Sequence, residues 1–241
     1  DYKALYRQSF LGILWAFILP LANTLVWVFL NNSGIVAMGE TEIPYPIYVF
    51  SGTMIWAIFM ESMQAPIEKT TQNKSILAKV NFPREALVVA GIYQVLFNAA
   101  VILVILVVAL AIMGYFGGWS LLLFPLGIVS LVFGGTAIGL LLTPLGMLYT
   151  DISKAIPLVM QFLMYTTPVV YAVPKGGFSS QIVRHNPITP LIMTARDWLT
   201  GVEPEFLNGY LWMNLVIIAL LIVVYVAYRL AMPILIERMN A

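Results

Sequence analysis

The sequence predicts an all-α integral membrane protein of six transmembrane helices, with an interfacial amphipathic helix before the first and two short outer helices before the last. Three observations carry this. Hydrophobic residues make up 61% of the 241 and charged residues 10%, against about 25% charged in a soluble domain. Apolar runs of bilayer length fall at about 10–30, 46–65, 86–113, 119–148, 155–173 and 207–232, each near the ~20 residues a helix needs to cross the hydrocarbon. The Lys and Arg residues, finally, are divided unevenly between alternate loops.

Tyr2, Leu5 and Tyr6 share one helical face and Lys3 and Arg7 another, spacing that predicts a helix lying on the membrane surface. The chain opens on Asp1 rather than Met, so native residues are expected before it. The first apolar run is too long for a signal-peptide core and has no small-residue cleavage site. That run carries Pro20, Asn23 and Thr24 near its centre, and a loop with Glu40 and Glu42 but no base follows it. The second span, Pro46–Ala65, leads into a basic segment, Pro66–Glu85. The third is longer than a bilayer requires and is expected to tilt. An uncharged loop, Gly114–Gly118, precedes the fourth span, where Gly135 and Gly139 form a GxxxG pattern for close helix contact.

A charged, turn-like knot, Tyr149-Thr150-Asp151-Ile152-Ser153-Lys154, separates spans four and five and must lie outside the hydrocarbon. Pro157, Gln161 and Thr167-Pro168 then interrupt the fifth span. Lipid cannot satisfy the backbone groups such breaks release, so this span should face protein or a water-filled path. Between spans five and six, Pro174–Phe206 reads as two short amphipathic helices. Ser179 would cap the first, with Ile182 and Val183 inward and Pro187 stopping it after Asn186. Thr189-Pro190 would start the second, with Leu191, Ile192, Ala195, Trp198 and Leu199 on one face and Gly201 closing it. No internal repeat or second domain is evident, so residues 1–241 form one transmembrane domain.

With the N-terminus inside, the inner loops hold Lys3, Arg7, Lys69, Lys74, Lys79, Arg84, Lys154, Arg229 and Arg238. The outer loops hold only Lys175, Arg184 and Arg196. The positive-inside rule therefore places both termini in the cytoplasm.

The chemistry is bounded by absences. There is no Cys, and His185 is the sole histidine. No HExxH, GxSxG or acidic metal cluster occurs, so neither an enzyme nor a metal site is expected, and nothing points to nucleic acid. Glu61, near the inner end of span two with Gln64, reads as an interfacial or packing carboxylate rather than a proton carrier. No GxxxxGK[ST] phosphate loop is present; if transport is driven, another subunit drives it. Aromatic residues crowd spans one, two and five, including Trp15, Trp27, Phe29, Tyr48, Phe162, Tyr165 and Tyr171. They fit interfacial belts or an aromatic conduit along which sugar rings slide, and composition alone does not choose between these. Leu103 and Val224 are expected to face lipid.

Four stretches in order resemble the membrane subunits of ABC-2-type polysaccharide exporters, the O-antigen and teichoic-acid transporters. They are SFLGILWAFILP (9–20), FSGTMIWAIFMESMQAPIEKTTQNKSILAKVNFPREAL (50–87), YTDISKAIPLVMQFLMYTTPVVYAVP (149–174) and NPITPLIMTARDWLTG (186–201). Thr150 stands where that family often carries Arg, leaving Lys154 as the basic residue of the elbow.

The resemblance implies a homodimer in the bacterial inner membrane, bound to a separate ABC ATPase that carries ATP and Mg, while this chain holds no cofactor. It implies outward transport of a lipid-linked glycan. It further assigns ATPase coupling to Lys69, Asn73, Lys74, Lys79, Phe82, Pro83, Arg84, Asp151 and Lys154. The substrate conduit would involve Trp15, Asn23, Trp27, Phe29, Gln161, Tyr165 and Tyr171. An outer gate would involve Arg184, Asn186, Pro187, Arg196 and Trp198. Alternatives are an ABC-2 permease for a drug or small lipid and, from another class, a passive channel or scaffold.

Overall fold

The computed structural model describes residues 15–36, 38–74, 77, 84–115 and 117–240. The expected interfacial helix over residues 1–9 lies outside them, as do Lys79, Phe82, Pro83 and the side chain of Trp15. The described chain is helical: α1 (Trp15–Asn32), α2 (Tyr45–Gln72), α3 (Glu85–Ile112), a 3-10 turn (Gly118–Leu123) running into α4 (Phe124–Leu148), α5 (Thr150–Thr166), α6 (Gly177–His185), α7 (Thr189–Thr200) and α8 (Leu207–Asn240). Among the described residues, three segments are long and apolar enough to cross a membrane: Glu85–Ile112, Gly118–Leu148 and Leu207–Glu237.

Helix α2 is the centre. Pro46 in its first turn is pre-set for helix and gives up no needed N–H. Every residue from Ile47 to Phe59 except Ala57 is buried. Four of its hydroxyls need no outside partner: Ser51, Thr53, Ser62 and Thr70 each bond the carbonyl four residues back. Helix α4 packs along α2, with α3, α1, α5 and α7 around it and α8 against α4 and α7. The GxxxG glycines permit the α2–α4 approach. A Cβ on Gly135 would come 2.6 Å from Ser62 Cβ and 2.7 Å from the Phe59 carbonyl, and one on Gly139 would collide with the Met63 carbonyl.

Three sequence expectations are redrawn. The charged knot is not a turn: Tyr149 alone is extended (φ −127°, ψ 109°), and Thr150–Lys154 open α5. Asp151 favours that outcome, because a carboxylate in the first turn meets the positive end of the helix dipole. Helix α7 does not lie with one face inward; all of its residues are buried, since α2, α4, α8 and the 3-10 turn surround it. Val224 does not face outward either. It is 2% exposed, packed with Tyr228 and Met232 in a second cluster, and Leu103 is partly buried against the main core.

Two helix ends follow from local chemistry. Thr167 leaves α5 in the extended region (φ −112°, ψ 137°), as a residue before proline prefers. Gly201 closes α7 at φ 79°, its N–H and that of Val202 both reaching the Asp197 carbonyl.

Candidate functional site

After Thr166 the chain runs without helix to Gly176. Helical pairing no longer serves its carbonyls, and a buried acceptor left without a donor costs about 1–3 kcal/mol. Side chains from distant elements supply the donors. Asn186 Nδ2 donates to the Thr166 carbonyl at 3.1 Å and to Thr167 Oγ1 at 2.9 Å. Tyr45 donates to the Val170 carbonyl at 2.9 Å, and the Tyr48 hydroxyl lies 2.9 Å from the Tyr171 carbonyl and 3.1 Å from that of Pro168. Arg196, 1% exposed, sends Nη2 to the Pro168 and Val169 carbonyls, both at 3.0 Å. Its guanidinium also stacks on Tyr48, 3.7 Å from the ring centroid. Gly52 leaves room for this group, since a Cβ there would strike both the Val169 carbonyl and Arg196 Nη2.

Two cavities flank this clamped segment. The first, of about 570 Å³, is lined by Trp27 of α1, Tyr165 of α5 and Tyr171 of the unwound stretch. Trp27 and Tyr165 meet edge to face at 6.3 Å, and the Tyr171 hydroxyl donates to the Tyr165 carbonyl at 3.0 Å. The ring faces left free can stack on a flat, weakly polar ligand.

The second cavity, of about 490 Å³, is charged, and both share Glu40, Ala172, Val173 and Lys175 in their walls. Lys175 pairs loosely with Glu40 (3.8 Å), and Arg184 pairs with Glu205 (2.9 Å) and overlies the Phe206 ring. Asp197 lines this cavity at 6% exposure. Burial foremost, and then repulsion from Glu42 and Glu205, push its carboxyl up to about 7 against the pull of Arg196.

At the opposite end, the basic extension of α2 meets the α4–α5 elbow. Asn73 caps α2 by donating from Nδ2 to the Lys69 carbonyl at 2.8 Å, and Lys74 Nζ reaches the Met147 carbonyl of α4 at 3.2 Å. Asp151 and Lys154 are exposed in the first turn of α5, beside this junction. Arg84 directly precedes α3, where Glu85 pairs with Arg229 of α8 at 3.1 Å. The structure thus groups Lys69, Asn73, Lys74, Asp151 and Lys154 in one region.

Of the residues assigned to a conduit, Trp27, Tyr165 and Tyr171 converge on one cavity. Asn23, Phe29 and Gln161 are exposed on α1 and α5 and do not line it. The residues assigned to a gate divide. Arg184 and Pro187 are exposed, while Asn186 and Arg196 hold the broken end of α5. Trp198, 5% exposed, packs edge to face on Tyr210 of α8 at 5.0 Å. Glu61 accepts a 2.5 Å bond from Asn98 of α3, tying two helices together. Sequence reasoning passed over Tyr45 and Asp197, saw Glu42 only as an acid of the first outer loop, and saw Tyr48 as one aromatic among many. The one available signal was a Tyr at the start of an apolar span with charges in the last outer loop.

The ABC-2 type transporter family model matches residues 1–197. The chain is also similar to the O-antigen export system permease protein RfbA of Myxococcus xanthus, 27% identical over 195 residues that cover 80% of this chain and 74% of that protein. The match takes in the clamped end of α5, the aromatic cavity and the α2–α4–α5 junction: the chain belongs to the ABC-2 type transporter family.

Proposed function

We propose that this chain is the membrane subunit of an ATP-driven exporter of a lipid-linked polysaccharide, O-antigen-like or teichoic-acid-like. Two copies form the conduit, each crossing the bacterial inner membrane six times through α1, α2, α3, α4, α5 and α8, with both termini cytoplasmic. A separate ATPase binds the end where Lys69, Asn73, Lys74, Asp151 and Lys154 gather, and Lys79, Phe82, Pro83 and Arg84 also serve the coupling. The end bearing α6 and α7 is then external.

The observation that carries this reading is the convergence of Trp27, Tyr165 and Tyr171 on one cavity beside a deliberately unwound segment. Aromatic faces bind the C–H faces of sugar rings without long-lived hydrogen bonds, so a chain can slide. An O-antigen export permease among the relatives supports the cargo class.

The test is glycan export per inserted dimer, in vesicles holding the complex with its ATPase. Trp27→Ala and Tyr165→Ala should cut export far more than they lower membrane abundance. Val104→Ala and Val226→Ala, on flanks 59% and 51% exposed, should leave it nearly unchanged. Export lost only in proportion to protein makes the rings packing residues. ATP hydrolysis stimulated by small amphiphiles and not by glycolipid makes the chain a drug or lipid permease instead.

A further inference from the structure

The charged cavity carries more acid than base: Glu40, Glu42, Asp197, Glu203 and Glu205 line it against Lys175, Arg184 and Arg196. Lys175 is paired with Glu40 and Arg184 with Glu205. Arg196 holds the Pro168 and Val169 carbonyls and the Tyr48 ring, and its charge still acts on Asp197. Glu42, Asp197 and Glu203 also line the cavity and form no salt bridge among the described residues. Asp197 is 6% exposed, yet its carboxylate has no hydrogen-bond partner among them. A carboxylate this little exposed is costly unless something donates to it. This one opens onto a cavity of about 490 Å³ large enough to hold a sugar unit, and that is where a donor has to come from.

Ionised carboxylates only accept hydrogen bonds, and Asp197 is ionised above about pH 7. The groups that can satisfy Glu42, Asp197 and Glu203 are therefore hydroxyl or ammonium donors. A phosphodiester offers only acceptors and a negative charge, and would add to the repulsion already present. The cavity also shares walls with the aromatic one, so a chain sliding over Trp27 and Tyr165 passes the carboxylates next.

Resting on the exporter reading above, we propose that this second cavity sorts the passing chain by charge, accepting a glycan rich in hydroxyl or amino groups and rejecting one with a phosphate in every repeat. The chain's cargo is then a neutral or amine-bearing polysaccharide, and a polyol-phosphate polymer is excluded. Selection is electrostatic, so it weakens as salt shortens the screening length, to about 3 Å at 1 M.

The experiment measures binding of three fluorescent oligomers of matched length to the purified full-length chain: glucosamine, N-acetylglucosamine and glycerol phosphate. Affinity should fall in that order, by on the order of tenfold per step at low salt, and the steps should flatten at about 1 M salt. Asp197→Asn and, separately, Glu42→Gln should shrink the steps without weakening the N-acetylglucosamine oligomer. Glu42 is exposed, so its variant tests the idea even if Asp197→Asn misfolds. Glycerol phosphate binding as tightly as the amino sugar, or steps that survive both substitutions, overturns charge selection while leaving the exporter reading intact. A charge order that persists while Tyr165→Ala weakens none of the three supports selection and removes the aromatic conduit. No binding of any oligomer overturns both.

Discussion

Replacing Arg196 with Met tests whether the buried guanidinium is what holds the unwound end of α5. The change removes the donor to the Pro168 and Val169 carbonyls and the cation over the Tyr48 ring. The Val169 carbonyl is orphaned, at about 1–3 kcal/mol, while the Pro168 carbonyl keeps the Tyr48 hydroxyl; the lost cation–π contact costs about 1–2 kcal/mol. Against this, Met requires no desolvation of a charge, and the Nε that now lacks a partner disappears with it. The net loss is about 2–3 kcal/mol, or roughly 5–10 °C in unfolding temperature for a chain of this size. Unfolding followed by loss of the monodisperse size-exclusion peak should show it. A Cys at Val170, 1% exposed in the parent, should become reactive in the variant. Tyr48→Phe should cost less alone than on top of Arg196→Met, because in the double variant the shared Pro168 carbonyl loses its last donor. An unchanged unfolding temperature with Val170→Cys still silent would refute the clamp.

Gly139→Ala should destabilise by about 2–4 kcal/mol through collision with the Met63 carbonyl, seen as lost membrane abundance, while Gly176→Ala, with nothing within 4 Å, should be silent. Asp197 holds its proton to about 7 in the folded chain against 3.8 for a free carboxyl, so its stabilising contribution is full below about pH 4 and is lost as pH rises to 7. Asp197→Asn should therefore match the parent near pH 4 and exceed it by about 1–3 kcal/mol near pH 8, read from unfolding temperatures across that range. Single cysteines at Asn32 and Ser179 should label from outside and those at Gln72 and Lys154 from inside, all four positions being exposed; labelling of Gln72→Cys from outside rejects the six-span arrangement.

Features written in local chemistry were legible in the sequence. The GxxxG of α4, the break at Thr167-Pro168 and the closure of α7 at Gly201 each depend on a residue and its near neighbours. The burial of Val224 was not legible, because α8 is apolar on every side and periodicity cannot then separate core from lipid. For α7 the sequence named only an apolar face, and the side chains opposite it meet partners far along the chain: Arg196 meets backbone carbonyls and Asp197 a charged cavity. Of the site, the aromatic residues were visible as a composition and the convergence of three of them was not. Nor could the union of Tyr48 with Arg196 be read, since neither residue carries a local mark of the other.

The wiring of α2 has a consequence for biogenesis. Tyr48 finds its acceptor at Pro168, 120 positions later, and Gly52 is shaped for a backbone and a guanidinium that come later still. At translation rates of about 5–20 residues per second, α2 must wait on the order of 10 s for those partners to leave the ribosome. Throughout that interval its hydroxyl and its open groove sit without the groups that complete them. The packing of α2 therefore cannot be completed before Arg196 of α7 has been made.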